Sequence, residues 1–442
     1  MRNTSIGLRF IVLGVFGLSF VSCEKETTQS KETSGETEIL ASETIPVEKA
    51  LASLDKLVGE LYGNTKSSER NYSVEVFGGS KAKSSHIALP DTTLYIVNRE
   101  NGYAVLSAQS KIKTEIFCIT EAGSITSEDI QKAILKLEHS SNAAKSSDGE
   151  DDSEDDYFED LGRETVPTII AASVLNQLYY GYEPEYETNE INEPKANSYS
   201  GTPNTLAMLK TKWRQGAPFN NFRTDGAPAG CVAIATAQII EFNALNHGYI
   251  SFTGDKNKRF DWNLLFTVCH SSNRSSFGSS SAQQEASNFL YYVGLKKNCN
   301  IRYKVGGSYG YADGAKRTFN NMGYKSVKKY LGFEKADKNR AIAQLTSGFP
   351  MYMDGSGNGS GHAWVLDGIY VRKVYGETGN YLRTENLFHI NWGWAGLDDG
   401  YYTQGVFDTS KRQGIEAGVD PNFGTGSSYN YTWNYRTITY SL

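Results

Sequence analysis

The chain has 442 residues, of which 39% are hydrophobic and 21% charged, enough apolar material for a sizeable core spread over two or three domains. Its net charge of −6 gives no basic footprint for nucleic acid, so nucleic-acid partners are set aside. Gly (43) and Tyr (28) are frequent, which suggests turn-rich β structure facing water.

The first element is a targeting segment. Arg2 and Arg9 precede "FIVLGVFGLSFV", a twelve-residue apolar run too short to span a bilayer and suited to a signal-peptide core. The run ends in "FVSC". Residues 1–22 are expected to be a signal peptide, cleaved so that a lipid joins Cys23, although Phe20 stands where such signals more often have Leu. Residues 23–45, rich in Ser, Thr, Glu and Lys, read as a lipid-anchored flexible tether. This arrangement points to a bacterial cell envelope, with outer-membrane sorting permitted by Glu24.

Residues 46–145 change texture. "VEKALASLDKLVGELY" has helical apolar spacing. "TTLYIVNRENGYAVLSAQSKIKTEIFCIT" reads as two strands around "NRENG" with a third to follow. "SEDIQKAILKLEHS" is a helix with Ser127 as its N-cap. Together these form a small α+β domain. Residues 146–200 are expected to be an acidic linker and activation segment. Nine of the thirteen residues in "DGEDDSEDDYFED" are acidic, a self-repelling solvated spacer, and 189–201 is a second flexible join.

From 201 to 442 a larger domain is expected. Helices are predicted near 203–213, 231–245 and 282–296, then a Gly-rich loop, then the strands "FPMYMDG", "HAWVLDGIYV", "NLFHINWGW", "YYTQGVF" and "NYRTITYSL". Helices first and strands later predict an α+β fold with an antiparallel sheet.

Chemistry concentrates at "APAGCVAIATAQII". Cys231 follows Gly230 at the expected start of an apolar helix, where the helix dipole favours thiolate and the backbone N–H can face an oxyanion. A buried packing cysteine is the plain alternative. Of six histidines, His362 follows a Gly/Ser lead at the mouth of a strand, 131 positions after Cys231. Papain-like peptidases place theirs roughly 130–150 residues on. His389 lies inside an apolar strand and reads as structural; His247 and His270 lack such a lead. Asn391 could orient His362, with Trp392 shielding that bond; Trp394 reads as core. Gln215 could complete the oxyanion hole. No two cysteines show C-x-x-C spacing, so no metal site is expected, and the pairing of Cys118, Cys269 and Cys299 stays open.

"GCVAIATAQII", "GHAWVLDG" and "HINWGWAGLDDGYY", in that order, resemble the streptopain family of cysteine peptidases, and "RQGAPFN", "FDWN" and "LYIVNRENGYAVLSAQSK" extend the likeness from about residue 46 onward. The resemblance implies a papain-like catalytic domain at 201–442, helical part plus antiparallel sheet, preceded by a small α+β inhibitory prodomain. It implies Cys231 as nucleophile, His362 as base, Gln215 in the oxyanion hole, and Asn391 with Trp392 as orienting and shielding groups. Ser308 and Gly361 would line the substrate groove. It also implies protein or peptide substrates, a prodomain acting as intramolecular inhibitor, removal by a cut near Lys195, and no cofactor. Departures are "EFN" at 241–243, where basic or aromatic residues are usual, and bulky Tyr309 and Tyr311 in the substrate loop. Two rivals are a catalytically silent binding lipoprotein of the same fold and an acyl-transfer enzyme such as a transglutaminase.

Overall fold

The computed structural model describes residues 44–63, 72–79, 89–143, 159–160, 164–179, 187–188, 196–250, 252, 254–255, 258–270, 277–333, 335–357, 360–376, 378–407 and 434–442. The expected signal peptide, Cys23, nearly all of the tether, most of the acidic block and Lys195 lie outside them.

The N-terminal elements are α1 (Val47–Tyr62), β1 (Ser73–Phe77), β2 (Leu94–Asn98), β3 (Tyr103–Ser107), β4 (Ile116–Thr120) and α2 (Ser127–Ala143). The α1 leucines at 54, 57 and 61 recur every three or four residues, so one stripe is buried against Tyr95, Val97 and Leu106 of the strands. The α2 cap is Thr126 rather than Ser127. The Thr126 hydroxyl accepts from the Asp129 N–H (3.3 Å), and the Asp129 carboxylate accepts from the Thr126 N–H (2.9 Å), a reciprocal pair closing the helix end. The Ser127 hydroxyl bonds Glu75 instead.

Next come β5 (Glu159–Asp160), α3 (Thr165–Tyr179), β6 (Glu187–Thr188) and β7 (Ala196–Thr205). From Val166 to Gln177 every side chain of α3 is buried, its polar members Thr168, Ser173, Asn176 and Gln177 included. Two expectations fail here. The helix near 203–213 does not form, and residues 196–201 are not a free join. Residues 196–205 are β7, which runs antiparallel along the later half of the long strand β10 (Ser360–Gly376), Ala196 opposite Gly376 and Thr205 opposite Ile369, whereas residues 206–213 are neither helix nor strand. A register shift beside Pro203, which has no N–H to donate, accommodates the proline; beyond the strand, the Met208 and Leu209 N–H groups donate to the Asp367 carbonyl (2.9 Å) and carboxylate (2.7 Å) in place of helical partners.

The remaining elements are α4 (Cys231–His247), α5 (Trp262–Cys269), α6 (Ser280–Gly294), α7 (Ala312–Met322), β8 (Lys325–Leu331), α8 (Lys335–Thr346), β9 (Met351–Gly357), β10, β11 (Tyr381–Asn391), β12 (Gly400–Thr403) and β13 (Asn434–Ser441). The main sheet runs β1-β2-β3-β4-β12-β11-β10-β9-β13-β8. The N-terminal strands therefore continue the sheet of the larger region, through β4 beside β12 with Tyr401 opposite Ile119. Residues 42–442 form one compact unit. One face of β9, β10 and β13 packs on α4, α6 and α7; the other packs on α2, α3 and α8. The fold is the expected mixture of helices and an antiparallel sheet. Among the described residues, no helix is long and apolar enough to cross a membrane.

Candidate active site

Helix α4 is buried all round from Cys231 to Asn243, so it is fixed by packing on every side. Its only approach to a cleft is its first turn. Gly230 precedes it with φ +89° and ψ 130°, a backbone conformation open to glycine and costly for other residues, and a Cβ there would meet Ile301 at 3.1 Å. The sharp entry aims the helix N-terminus, and with it Cys231, into the cleft. Cys231 keeps 8% of its surface exposed.

His362 enters the same cleft from the start of β10, with Ser308, Tyr309, Tyr311 and Gly361 in the walls. Ser308 is buried, and its hydroxyl accepts from the Lys304 N–H at 3.2 Å, which ties its loop into a turn. The His362 Nε2 lies 2.9 Å from the Trp392 backbone carbonyl. A carbonyl only accepts, so Nε2 carries the proton and Nδ1 becomes the proton-accepting nitrogen.

His362 Nε2 is thus partnered by a main-chain carbonyl. The Asn391 amide donates to the Thr211 carbonyl (3.2 Å) and accepts from the Gly393 N–H (3.0 Å). Asn391 ends β11 and ties the 392–399 turn to the segment before Gln215. The turn is anchored again by the Trp392 N–H donating to Asp399 (2.9 Å) and the Ala395 N–H donating to the Trp213 carbonyl (2.8 Å). At Gly393, a Cβ would sit 2.7 Å from Ile234 of α4, so the turn is pressed against the helix that begins at Cys231.

Three indoles surround the His362 ring: Trp364 and Trp392 at 6.2 and 6.1 Å, and Trp394 at 4.7 Å. Trp392 is fully buried, its Nε1–H donating to the Tyr402 hydroxyl at 3.1 Å. Trp394, read from sequence as core, is half-buried and lies nearest the imidazole. An aromatic lid over the ring keeps water from the Nε2 hydrogen bond.

Gln215 is half-buried, and its backbone carbonyl accepts from the Ala229 N–H at 2.9 Å, which brings residue 215 beside the segment leading into Cys231. The unusual residues 241–243 are accounted for locally. Burial pushes the Glu241 carboxyl upward, and His270 beside it at 3.2 Å opposes this; the Asn243 amide donates to Tyr324 and Tyr440.

Asp399 and His389 are groups the sequence reading did not mark for the site. Burial pushes the Asp399 carboxyl up to about 7, against the pull of Lys212. Burial disfavours a charged His389, but Asp367 at 2.6 Å and Glu121 at 3.6 Å outweigh it and raise it to about 10. No spacing rule picks out a carboxylate that holds a peptide N–H, and a carbonyl ligand leaves no trace in residue type. Cys118, Cys231 and Cys299 are free thiols. Among the described residues, no group of three or more His, Cys, Asp or Glu could hold a metal ion.

Residues 213–402 match the model of the Peptidase C10 family. Streptopain of Streptococcus pyogenes is 25% identical over 291 residues, 55% of this chain and 65% of that protein, so the chain spans somewhat under two thirds of that relative. The thiol protease/hemagglutinin PrtT of Porphyromonas gingivalis is 25% identical over 216 residues, covering 43% of this chain and 22% of that one. A prointerpain A fragment from Prevotella intermedia shares the fold, with a TM-score of 0.50 and 18% identity over 83% of this chain and 98% of the fragment. Family match and relatives agree with the motifs read from sequence: residues 213–402 carry a match to the Peptidase C10, or streptopain, family, on a fold shared with prointerpain A.

Proposed function

We propose that the protein is a cysteine endopeptidase made as an inactive zymogen. The observation that carries this is a helix-tip cysteine and a histidine of fixed tautomer lining one cleft. Cys231 is the nucleophile and His362 the base. The thiolate attacks a peptide carbonyl carbon, His362 gives its Nδ1 proton to the leaving amine as the C–N bond breaks, and water then cleaves the thioester. The Cys231 N–H and the Gln215 side chain hold the oxyanion; losing one such donor costs about 10²–10³ in kcat. Ser308 and Gly361 line the substrate groove, and substrates are proteins or peptides.

Two contacts support the zymogen reading. Glu159 and Asp160 run as a strand beside Ser360 and Gly361, on the rim of the cleft. The turn that aims the Trp392 carbonyl is held by the N-terminal region: the Glu121 N–H donates to the Asp399 carbonyl (2.7 Å) and the Asp398 N–H to the Ala122 carbonyl (3.1 Å). Removal of this region would free both the rim and the turn. Export, lipid attachment at Cys23 and residence in the bacterial cell envelope belong to the same proposal, on the strength of the leader sequence. A cut in the 146–200 segment would then release the catalytic region from the membrane.

The test uses the chain from Lys25 onward and its Cys231→Ala variant, incubated with casein under reducing conditions and read by mass spectrometry. Self-trimming and casein cleavage by the wild type alone are expected. Inert wild-type protein, even after limited proteolysis of the N-terminal region, would sink the proposal in favour of a binding protein of the same fold. Cross-linked products would favour a transglutaminase.

A further inference from the structure

The sheet side of the cleft carries an ion pair that the mechanism above does not use. Side chains two apart on a strand share a face. On β9 this groups Tyr352, Asp354 and Ser356, and on β13 Arg436, Ile438 and Tyr440. Ile438 stands opposite Tyr352 and Arg436 opposite Asp354, with Ala363 of β10 on the other side of Asp354. Tyr352, Ile438, Tyr440 and Ala363 belong to the core cluster of Cys231 and Val232, so this is the face that carries α4. Toward the start of β10 the same face turns polar, and there Asp354 and Arg436 line the cleft with Cys231 and His362.

Both oxygens of Asp354 are engaged. One accepts from the Arg436 Nε at 2.7 Å and the other from the Tyr352 hydroxyl at 2.8 Å, while the Arg436 Nη2 donates to the Ser356 hydroxyl at 2.8 Å. The Asp354 side chain is 9% exposed and that of Arg436 23%, so the pair keeps its negative end inward and presents its positive end. A guanidinium offers a planar fork of N–H donors matched to a carboxylate, and it stays charged at any pH the fold survives. A basic substrate side chain arriving here meets a like charge; an acidic one meets donors of opposite charge. The chain's own sequence agrees: the segment that runs beside Ser360 and Gly361 on the rim of this cleft is Glu159–Asp160, the end of the acidic block.

We propose that Arg436 is a specificity-determining residue: it makes the pocket beside Cys231 a subsite for a glutamate or aspartate side chain of the substrate, close to the scissile bond. This rests on the cysteine peptidase reading and deepens it by naming a substrate class.

The test uses the chain from Lys25 onward, activated by limited proteolysis so that every variant is processed alike. Peptide pools carry Glu, Gln, Leu or Lys at each of three positions on either side of the cut, and cleavage rates are read by mass spectrometry. The wild type should favour Glu over its neutral isostere Gln about tenfold at one position, with Lys the poorest there. Arg436→Gln should bring that ratio close to one, Arg436→Lys should keep it above one, and Asp354→Asn, which removes the opposing charge, should raise it. Each ratio is taken within one enzyme, so a general loss of activity cancels. Circular dichroism reports folding. If Arg436→Gln does not fold because Asp354 is left uncompensated, Arg436→Gln combined with Asp354→Asn takes its place, with the same loss of preference expected. A wild type that favours Glu at no position, or a Glu preference that survives loss of the guanidinium, overturns the subsite and leaves the peptidase reading standing. A wild type that cuts neither the peptides nor casein overturns the peptidase reading and the subsite with it.

Discussion

Replacing Asp399 separates two things this carboxylate does. It accepts the Trp392 N–H at 2.9 Å, fixing the peptide whose carbonyl holds His362, and it is buried with its carboxyl raised from the ordinary 3.8 to about 7. A folded-state value above the unfolded one means that the proton stabilises the fold: the contribution is complete below about 3.8 and is lost as pH rises through about 7. At about 1.4 kcal/mol per pH unit, the loss approaches about 4 kcal/mol at pH 8. Asn keeps the accepting oxygen and never ionises. Relative to their difference below pH 3.8, Asp399→Asn should therefore gain about 1.7 kcal/mol on the wild type by pH 5 and about 4 kcal/mol by pH 8, with peptidase activity retained. Asp399→Ala orphans a buried N–H and should cost about 1–3 kcal/mol at both pH values. It should also lower kcat about tenfold, because the His362 carbonyl partner is no longer held. Thermal melts at the two pH values and initial rates on casein are the measurements. An Asp399→Asn variant whose melting difference from the wild type is the same at pH 5 and pH 8 would refute the argument.

Gly230→Ala should cost about 1–3 kcal/mol through its φ of +89°, and should reduce activity more than that, since relaxing the angle re-aims the Cys231 N–H; melting and casein hydrolysis measured together separate the two. Trp394→Ala should expose the His362 hydrogen bond to water and lower kcat with little change in melting temperature, whereas Trp394→Phe should recover most of the rate. Thr126→Ala removes the α2 cap and should lower stability by about 1 kcal/mol in a chemical melt, leaving the mature activity untouched.

The sequence was most legible where one local pattern decides the outcome. The α1 stripe, the hairpin around "NRENG", the apolar helix after Gly230 and the strand after His362 all follow from periodicity or a glycine, and each forms where expected. Cys231 and His362 stood out by residue type and spacing, and they line one cleft. What escaped was non-local. The 196–201 stretch reads as a flexible join alone and becomes part of a strand because β10 is long enough to pair with β9 at one end and β7 at the other. Asn391 has the right residue type for orienting a histidine, and nothing in the sequence signals that its amide also bonds Thr211 and Gly393 or that the Trp392 carbonyl meets His362 Nε2. Trp394 differs from Trp392 only in which side of a turn it faces, which no pattern in "NWGW" reveals.

The β4–β12 seam carries a consequence for the chain's life history. While β4 is in place, β12 is an interior strand with partners on both sides. Detaching the N-terminal region turns it into an open edge, four residues long, and bares Tyr370, Leu387 and Tyr401, which α1 and its neighbouring strands now cover. An unpaired edge next to uncovered apolar side chains is the arrangement that drives strand-to-strand association. If the N-terminal region is removed as proposed, the colloidal stability of what remains should depend on how quickly that edge finds a substitute partner or is diluted away.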